Sequence, residues 1–351
     1  MKILSVVGAR PNFVKMFPLI ETILQSKHEH ILVHTGQHYD INMSDIFFKE
    51  MNVKPADYNL GVGSGNHGAQ TGEILKKVEE VFLKEKPDVV IVPGDTNSTI
   101  GGALAAVKLH IPVVHLEAGL RSFDRRMPEE INRILTDHCS DILLCPTKEA
   151  VSNLANEGIT DKAFYIGDTM YEISFMIKER LDAIELPFKI PEKYVLSTIH
   201  RAENTTTERL PKIMESLKTI DLPVILPIHP RTKKILIELG LYEEVKKKIQ
   251  ITQPLGFLEF SKLLMNSTAI ITDSGGVQKE AYWHEKPCIT VRENTEWNET
   301  LSSGGNILSE PEEIRDKLKL MLERNIDFDE NLFGFKDTSK RALTIIEQEI
   351  K

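Results

Sequence analysis

Short, almost wholly apolar runs alternate with longer stretches of helical period, and the series occurs twice along the chain. In the first half the runs are residues 2–8, 30–35, 88–93, 112–116, 141–145 and 163–166. Helical periodicity fills the intervals at 14–25, 69–84, 99–108, 129–138 and 148–157. A run such as Val89-Val90-Ile91-Val92 has no polar face, so as a strand it must be covered on both sides. After a Pro- and charge-rich stretch (187–193) the series resumes. Strands are predicted there at 194–199, 223–228, 250–252, 269–272 and 287–291, with helices at 209–217, 258–265, 277–284 and 311–323. Residues 339–350 read as a final amphipathic helix. Repeated βα alternation predicts an α/β fold of two Rossmann-like, doubly wound domains facing a cleft, with ligand at the carboxyl ends of the strands. The expected division is 1–168 for the first domain, 169–338 for the second, and a terminal helix (339–351) returning to the first. A chain of 351 residues exceeds what one core usually serves, in keeping with two domains.

Composition removes several function classes. A net charge of −9, with both signs interspersed, argues against nucleic-acid binding. The opening apolar run is too short for a secretory leader, and no eighteen consecutive apolar residues occur, so a cytoplasmic protein without membrane contact is expected. Cys139, Cys145 and Cys288 are odd in number and widely spaced, which gives neither a disulfide framework nor a zinc site.

The polar clusters fall just after predicted strands. Gly8-Ala9-Arg10-Pro11-Asn12-Phe13-Val14-Lys15 follows the first strand and would bring Arg10 and Lys15 to a helix start. That arrangement suits an anion, and it equally suits two solvated cations. It matches neither a Walker loop nor a dinucleotide fingerprint, so ATP and nicotinamide cofactors gain no support. Asp95 and Glu117 each stand at the end of an apolar strand, where a solubilising charge is not needed. Glu129 and Glu130 open a helix behind Pro128, where acids favour the helix dipole. Carboxylates converging on one site would supply proton donors and acceptors. In the second half, His200-Arg201 and His229-Pro230-Arg231 end successive strands. The two histidines lack further ligands at metal spacing, so no metal is expected. Thr272-Asp273-Ser274-Gly275-Gly276 runs from a strand into a helix and reads as a diphosphate cradle without a lysine, with Glu280 one turn on and in reach of a ribose diol.

Taken together these stretches resemble the non-hydrolysing UDP-N-acetylglucosamine 2-epimerases. The resemblance runs over essentially the whole chain. It rests on Gly8-Ala9-Arg10-Pro11 with Lys15, Thr35-Gly36-Gln37-His38, Gly94-Asp95-Thr96, His115-Leu116-Glu117-Ala118-Gly119-Leu120-Arg121, Pro128-Glu129-Glu130 with Asn132-Arg133, His200-Arg201, and Thr272–Gly276 with Glu280. It implies the two-domain glycosyltransferase-B architecture, a UDP-sugar substrate, no cofactor, and a homodimer. It also implies Asp95, Glu117 and Glu129 as catalytic carboxylates, joined by His200 at the diphosphate. Arg10, Lys15, Ser274, Gly275 and Gly276 would surround the diphosphate, Glu280 the ribose, and Leu255 to Phe260 the uracil. Arg121, Arg133 and His229 fall at further substrate-binding positions. The implied reaction is elimination of UDP to a bound 2-acetamidoglucal, then re-addition with a proton delivered to the other face of C2.

Some positions depart from the family pattern. Members commonly carry Thr-Glu-Arg-Pro-Glu where this chain has Thr295-Glu296-Trp297-Asn298-Glu299, so Trp297 replaces a cation. Relatives with Thr-Glu-Trp include epimerases of UDP-2,3-diacetamido-2,3-dideoxyglucuronate, which keeps that sugar as an alternative, with Arg125, Arg126 or Arg201 to meet its carboxylate. Ala69 and Asp40 replace residues of substrate-activated members, against activation by UDP-GlcNAc, although Gln37, His38 and Gln70 are retained. Gly334-Phe335-Lys336-Asp337 replaces the usual Gly-Asp-Gly. A hydrolysing relative, a glycosyltransferase of the same fold and a nucleotide-sugar sensor fit less well, because the opening Arg-Pro and the three carboxylates are all present.

Overall fold

The structure is a computed structural model that describes residues 1–37, 54–295, 297–329 and 332–350, with the side chains of Arg10 and Glu179 also outside the description. His38, Asp40 and Glu296 fall outside the described residues. The chain divides into two compact units, Met1–Met176 with Asn331–Lys351, and Ile177–Glu330.

Among the described residues the first unit is built on seven parallel strands: β1 (Lys2–Val7), β2 (Glu29–His34), β3 (Tyr58–Asn59), β4 (Val89–Pro93), β5 (Val113–Leu116), β6 (Ile142–Cys145) and β7 (Ala163–Tyr165). They lie in the order β3-β2-β1-β4-β5-β6-β7. Helices α1 (Arg10–Leu24), α2 (His67–Glu85), α3 (Asn97–Lys108), α4 (Pro128–Cys139), α5 (Lys148–Asn156) and α6 (Thr169–Met176) belong to the same unit. Strands β4, β5 and β6 are buried at every residue, which is why they read as unbroken apolar runs. Only β3, two residues long, gave no periodicity to read.

The second unit repeats the plan. Helices α7 (Lys178–Leu181), α8 (Arg209–Lys218), α9 (Pro230–Glu238), α10 (Tyr242–Lys246), α11 (Phe257–Asn266), α12 (Gly275–Trp283), α13 (Asn298–Ser302) and α14 (Ile314–Glu323) accompany six strands. The strands are β8 (Val195–Thr198), β9 (Val224–Pro227), β10 (Gln250–Thr252), β11 (Ala269–Thr272), β12 (Cys288–Thr290) and β13 (Asn306–Leu308), ordered β10-β9-β8-β11-β12-β13. Both sheets thus reverse direction between their first and fourth strands, and the carboxyl ends around that reversal are where open α/β sheets hold ligands. The short helices α6, α7, α9, α10 and α13 and strand β13 were not legible in the sequence. Each is short or lacks a clean apolar stripe.

The last helix, α15 (Thr338–Glu349), packs on α1 in the first unit, with Ser339 donating to the buried Glu172 carboxylate from both N (2.7 Å) and Oγ (2.6 Å). Its lead-in crosses residue 167 so closely that a Cβ on Gly334 would lie 2.3 Å from the Cα of Gly167. Glycine is required on packing grounds as well as by the φ of +102° at Gly334.

Candidate functional site

The strand order explains which distant residues meet. Because β4 lies between β1 and β5, the turns that follow these three strands become neighbours. Lys15, on the second turn of α1, hydrogen-bonds to the Glu117 carboxylate across 102 residues of sequence. The Glu117 side chain is 11% exposed. Burial opposes a charge on Lys15, but Glu117, Asp95 and Asp168 outweigh it and hold its pKa above the usual value. Glu117 itself sits at φ +73°, between Gly94 at +67° and Gly119 at +79° in the facing and following turns. A left-handed backbone is unfavourable for a glutamate, and such conformations collect where a side chain must be aimed. A Cβ on Gly94 would lie 3.4 Å from both Glu117 Oε2 and Asn12 Nδ2, so its bare backbone makes room for the carboxylate.

Asp95 is held by Arg133, whose Nε and second terminal nitrogen reach Oδ2 at 3.0 and 2.8 Å. The other arm of Arg133 reaches Glu130 at 2.7 Å. Glu130 is buried and also accepts from Ser122 N (2.9 Å), Ser122 Oγ (3.0 Å) and Phe123 N (2.9 Å). Burial alone would raise its pKa, but these donors and Arg133 bring it below the usual value. Glu130 is therefore a clamp for the 122–123 turn. Its neighbour Glu129 is exposed, and its side chain has no hydrogen-bond partner among the described residues. Arg121 is committed differently from the substrate contact the sequence suggested. Its guanidinium donates to Leu120 O, Asp137 and both oxygens of Glu157, under a side chain only 1% exposed. Arg10 opens α1, and its side chain lies outside the described residues.

In the second unit Asp273, fully buried, receives the backbone N–H groups of His200 (2.9 Å) and Arg201 (2.9 Å) and the side chain of Asn204 (3.2 Å). His200 Nδ1 stands 3.2 Å from the same carboxylate, which turns Nε2 away from Asp273. His229 caps α9, its Nδ1 accepting from Arg231 N at 3.1 Å, and its ring lies 5.5 Å from that of His200. Burial, His200 and Arg231 lower the pKa of His229. Ser274 begins α12 with no side-chain cap, leaving the N–H groups of the first turn, including those of Gly275 and Gly276, available to an anion. A Cβ on Gly276 would meet no atom within 4 Å, so that side of the turn is open. Glu280 lies one turn further along, partly exposed. Leu255 and Phe260 pack against the apolar cluster under α11 and α12 while staying partly exposed. Among the described residues no group of three His, Cys, Asp or Glu side chains could hold a metal, and no helix is long and apolar enough to cross a membrane.

The family model described as UDP-N-acetylglucosamine 2-epimerase matches residues 22–347. The chain belongs to this family. Among similar family members, a UDP-N-acetylglucosamine 2-epimerase homolog of Methanococcus maripaludis is 51% identical, each chain covered to 88%. The UDP-2,3-diacetamido-2,3-dideoxy-D-glucuronate 2-epimerase of Pseudomonas aeruginosa is 46% identical over 97% of this chain and 98% of its own. The crystal structure of the Methanocaldococcus jannaschii UDP-GlcNAc 2-epimerase in complex with UDP-GlcNAc and UDP superposes with a TM-score of 0.86 at 43% identity, covering 99% of this chain and 100% of that one. Within the 2-epimerase frame, sequence reading missed His115, Asp137 and Asp273 as organising groups. For His115 and Asp273 the available signal was a histidine or aspartate inside or abutting an otherwise apolar strand, which burial obliges to find a partner, whereas Asp137 lies within α4 and gave no such signal.

Proposed function

We propose that this chain interconverts UDP-N-acetylglucosamine and UDP-N-acetylmannosamine without hydrolysis. The observation that carries the reading is Glu117, a carboxylate held in a left-handed backbone and paired to Lys15, with Asp95 fixed on the neighbouring turn by Arg133. In this reading a carboxylate takes the C2 proton as UDP leaves C1, and a carboxylate returns a proton to the opposite face before UDP adds back. The uncapped start of α12 and the Asp273-oriented His200 stabilise the charge that develops on the departing diphosphate. Asp95, Glu117 and Glu129 carry the proton steps. A homodimer in the cytoplasm completes the reading.

The second reading replaces the sugar by 2,3-diacetamido-2,3-dideoxyglucuronate. It is favoured by the Pseudomonas aeruginosa relative and by Trp297 in place of the customary Arg. Proton NMR of the purified chain with UDP-GlcNAc in D2O, without added metal or nicotinamide, separates the readings. UDP-ManNAc carrying deuterium at C2 is the expected product. Free ManNAc with UDP would place the chain among hydrolysing enzymes. No exchange with UDP-GlcNAc, but exchange with the diacetamido uronate, would select the second sugar.

A further inference from the structure

Behind the two acid-bearing turns of the first unit lies a fully buried ionic pair that the proton chemistry leaves unused. His115, on β5, and Asp137, on α4, are both 0% exposed. His115 Nδ1 lies 2.6 Å from Asp137 Oδ1, and His115 Nε2 lies 2.7 Å from the carbonyl oxygen of Gly94. Asp137 Oδ2 accepts from Gly119 N at 3.2 Å and from Arg121 at 2.7 Å. Gly119 N and Arg121 donate to Oδ2, and the Arg121 guanidinium beside it favours the ionised carboxylate, to which Nδ1 then donates through Oδ1. A backbone carbonyl also can only accept, so Nε2 must donate as well. The ring therefore carries a proton on each nitrogen. In agreement, the pKa of Asp137, which burial would raise, is brought down by His115 and Arg121.

The pair spans two turns that need holding. Gly94, immediately before Asp95, and Glu117 and Gly119 all have left-handed backbones. For Glu117, which is not a glycine, such a conformation persists only where its surroundings over-determine it. We propose that His115 and Asp137 are positioning residues. The doubly protonated ring ties the Gly94 carbonyl, and Asp137 ties the Gly119 amide, so that Asp95 and Glu117 keep one fixed separation. Arg121, buttressed by Glu157, locks Asp137 from behind. The kinetic consequence rests on the epimerase reading, whereas the state of the ring does not.

Two measurements on the full chain test this. In the ¹⁵N-histidine-labelled wild type, long-range NMR should show one ring with both nitrogens protonated and shielded from solvent, its signals missing in His115→Gln. A His115 ring with one bare nitrogen overturns the proposal whatever the enzyme's substrate. For kinetics, His115→Gln and Asp137→Asn are compared with wild type by C2 deuterium incorporation. Because small displacements of catalytic groups are costly, kcat should fall about 100-fold. With ground-state binding untouched, KM should stay within about threefold and UDP affinity should not change. A variant with wild-type circular dichroism and wild-type kcat overturns it, as does a loss that lies entirely in KM. Should the wild type leave UDP-GlcNAc unchanged, the proposed function fails on its own, and the same comparison is run with the diacetamido uronate nucleotide.

Discussion

The ammonium of Lys279 stands 4.0 Å from the centre of the Trp297 ring, and both residues are buried. The main chain that carries the indole is fixed on both sides. Trp297 N donates to Thr295 Oγ1 (3.2 Å), Thr295 Oγ1 donates to the buried Gln278 Oε1 (2.6 Å), and Thr300 Oγ1 donates to Trp297 O (2.7 Å). Gln278 adjoins Lys279 on α12, so one polar network sets the ring over the cation. Where family members commonly carry an arginine, this chain thus presents one face of a cation–π contact. Trp297→Arg would place a second cation beside a buried one and lose the indole's packing, costing on the order of 3–5 kcal/mol. Trp297→Phe keeps an aromatic face and should cost only about 1–2 kcal/mol. Denaturant unfolding measures both, and an arginine variant as stable as wild type would refute this account of the position.

Adjacent glutamates on α4 should behave oppositely. Glu130→Gln removes a buried charge that Arg133, Ser122 and Phe123 all address, and should lower stability by about 3 kcal/mol. Glu129→Gln changes an exposed group and should move stability by less than about 0.5 kcal/mol. Its kcat should nevertheless drop about 100-fold if Glu129 handles a proton. Equal thermal midpoints for the two variants would contradict the division of roles.

Glu117→Gln keeps the size of the side chain but removes a carboxylate of the proposed proton steps and the ionised partner of Lys15. The expected loss in kcat is on the order of 10²–10⁴. Exchange at C2, followed by deuterium incorporation, should fall in parallel. Near wild-type exchange would remove Glu117 from the proton steps.

Acid should weaken both units through histidines held neutral. Burial takes His30 in the first unit and His284 in the second from 6.5 down to about 4. The unfolded chain binds protons first as the pH falls from 6.5, so stability is full above that value and declines until about pH 4, where the folded histidines also protonate. Each could cost up to about 3 kcal/mol over that window. The depressed carboxylate of Glu130 extends the loss to lower pH. Unfolding curves at several pH values should show the slope, and a His30→Gln, His284→Gln double variant should flatten it. An unchanged slope in that variant would exclude these two groups as its source.

The sequence by itself determined the two parallel sheets, because residues buried on both faces must be apolar at every position, as at Val89–Pro93, and that record is local. It also placed Asp95, Glu117 and Ser274-Gly275-Gly276 at strand ends, since a charge or a glycine pair closing an apolar run is visible within a few residues. Only the tertiary structure decided which charges meet. That Lys15 finds Glu117, that His115 joins Asp137 to Gly94, and that Trp297 covers Lys279 all follow from strand order and register. It also separated Glu129 from Glu130, identical in type and adjacent in sequence, because on a helix of 3.6 residues per turn neighbouring side chains point about 100° apart. One is exposed and the other buried against Arg133.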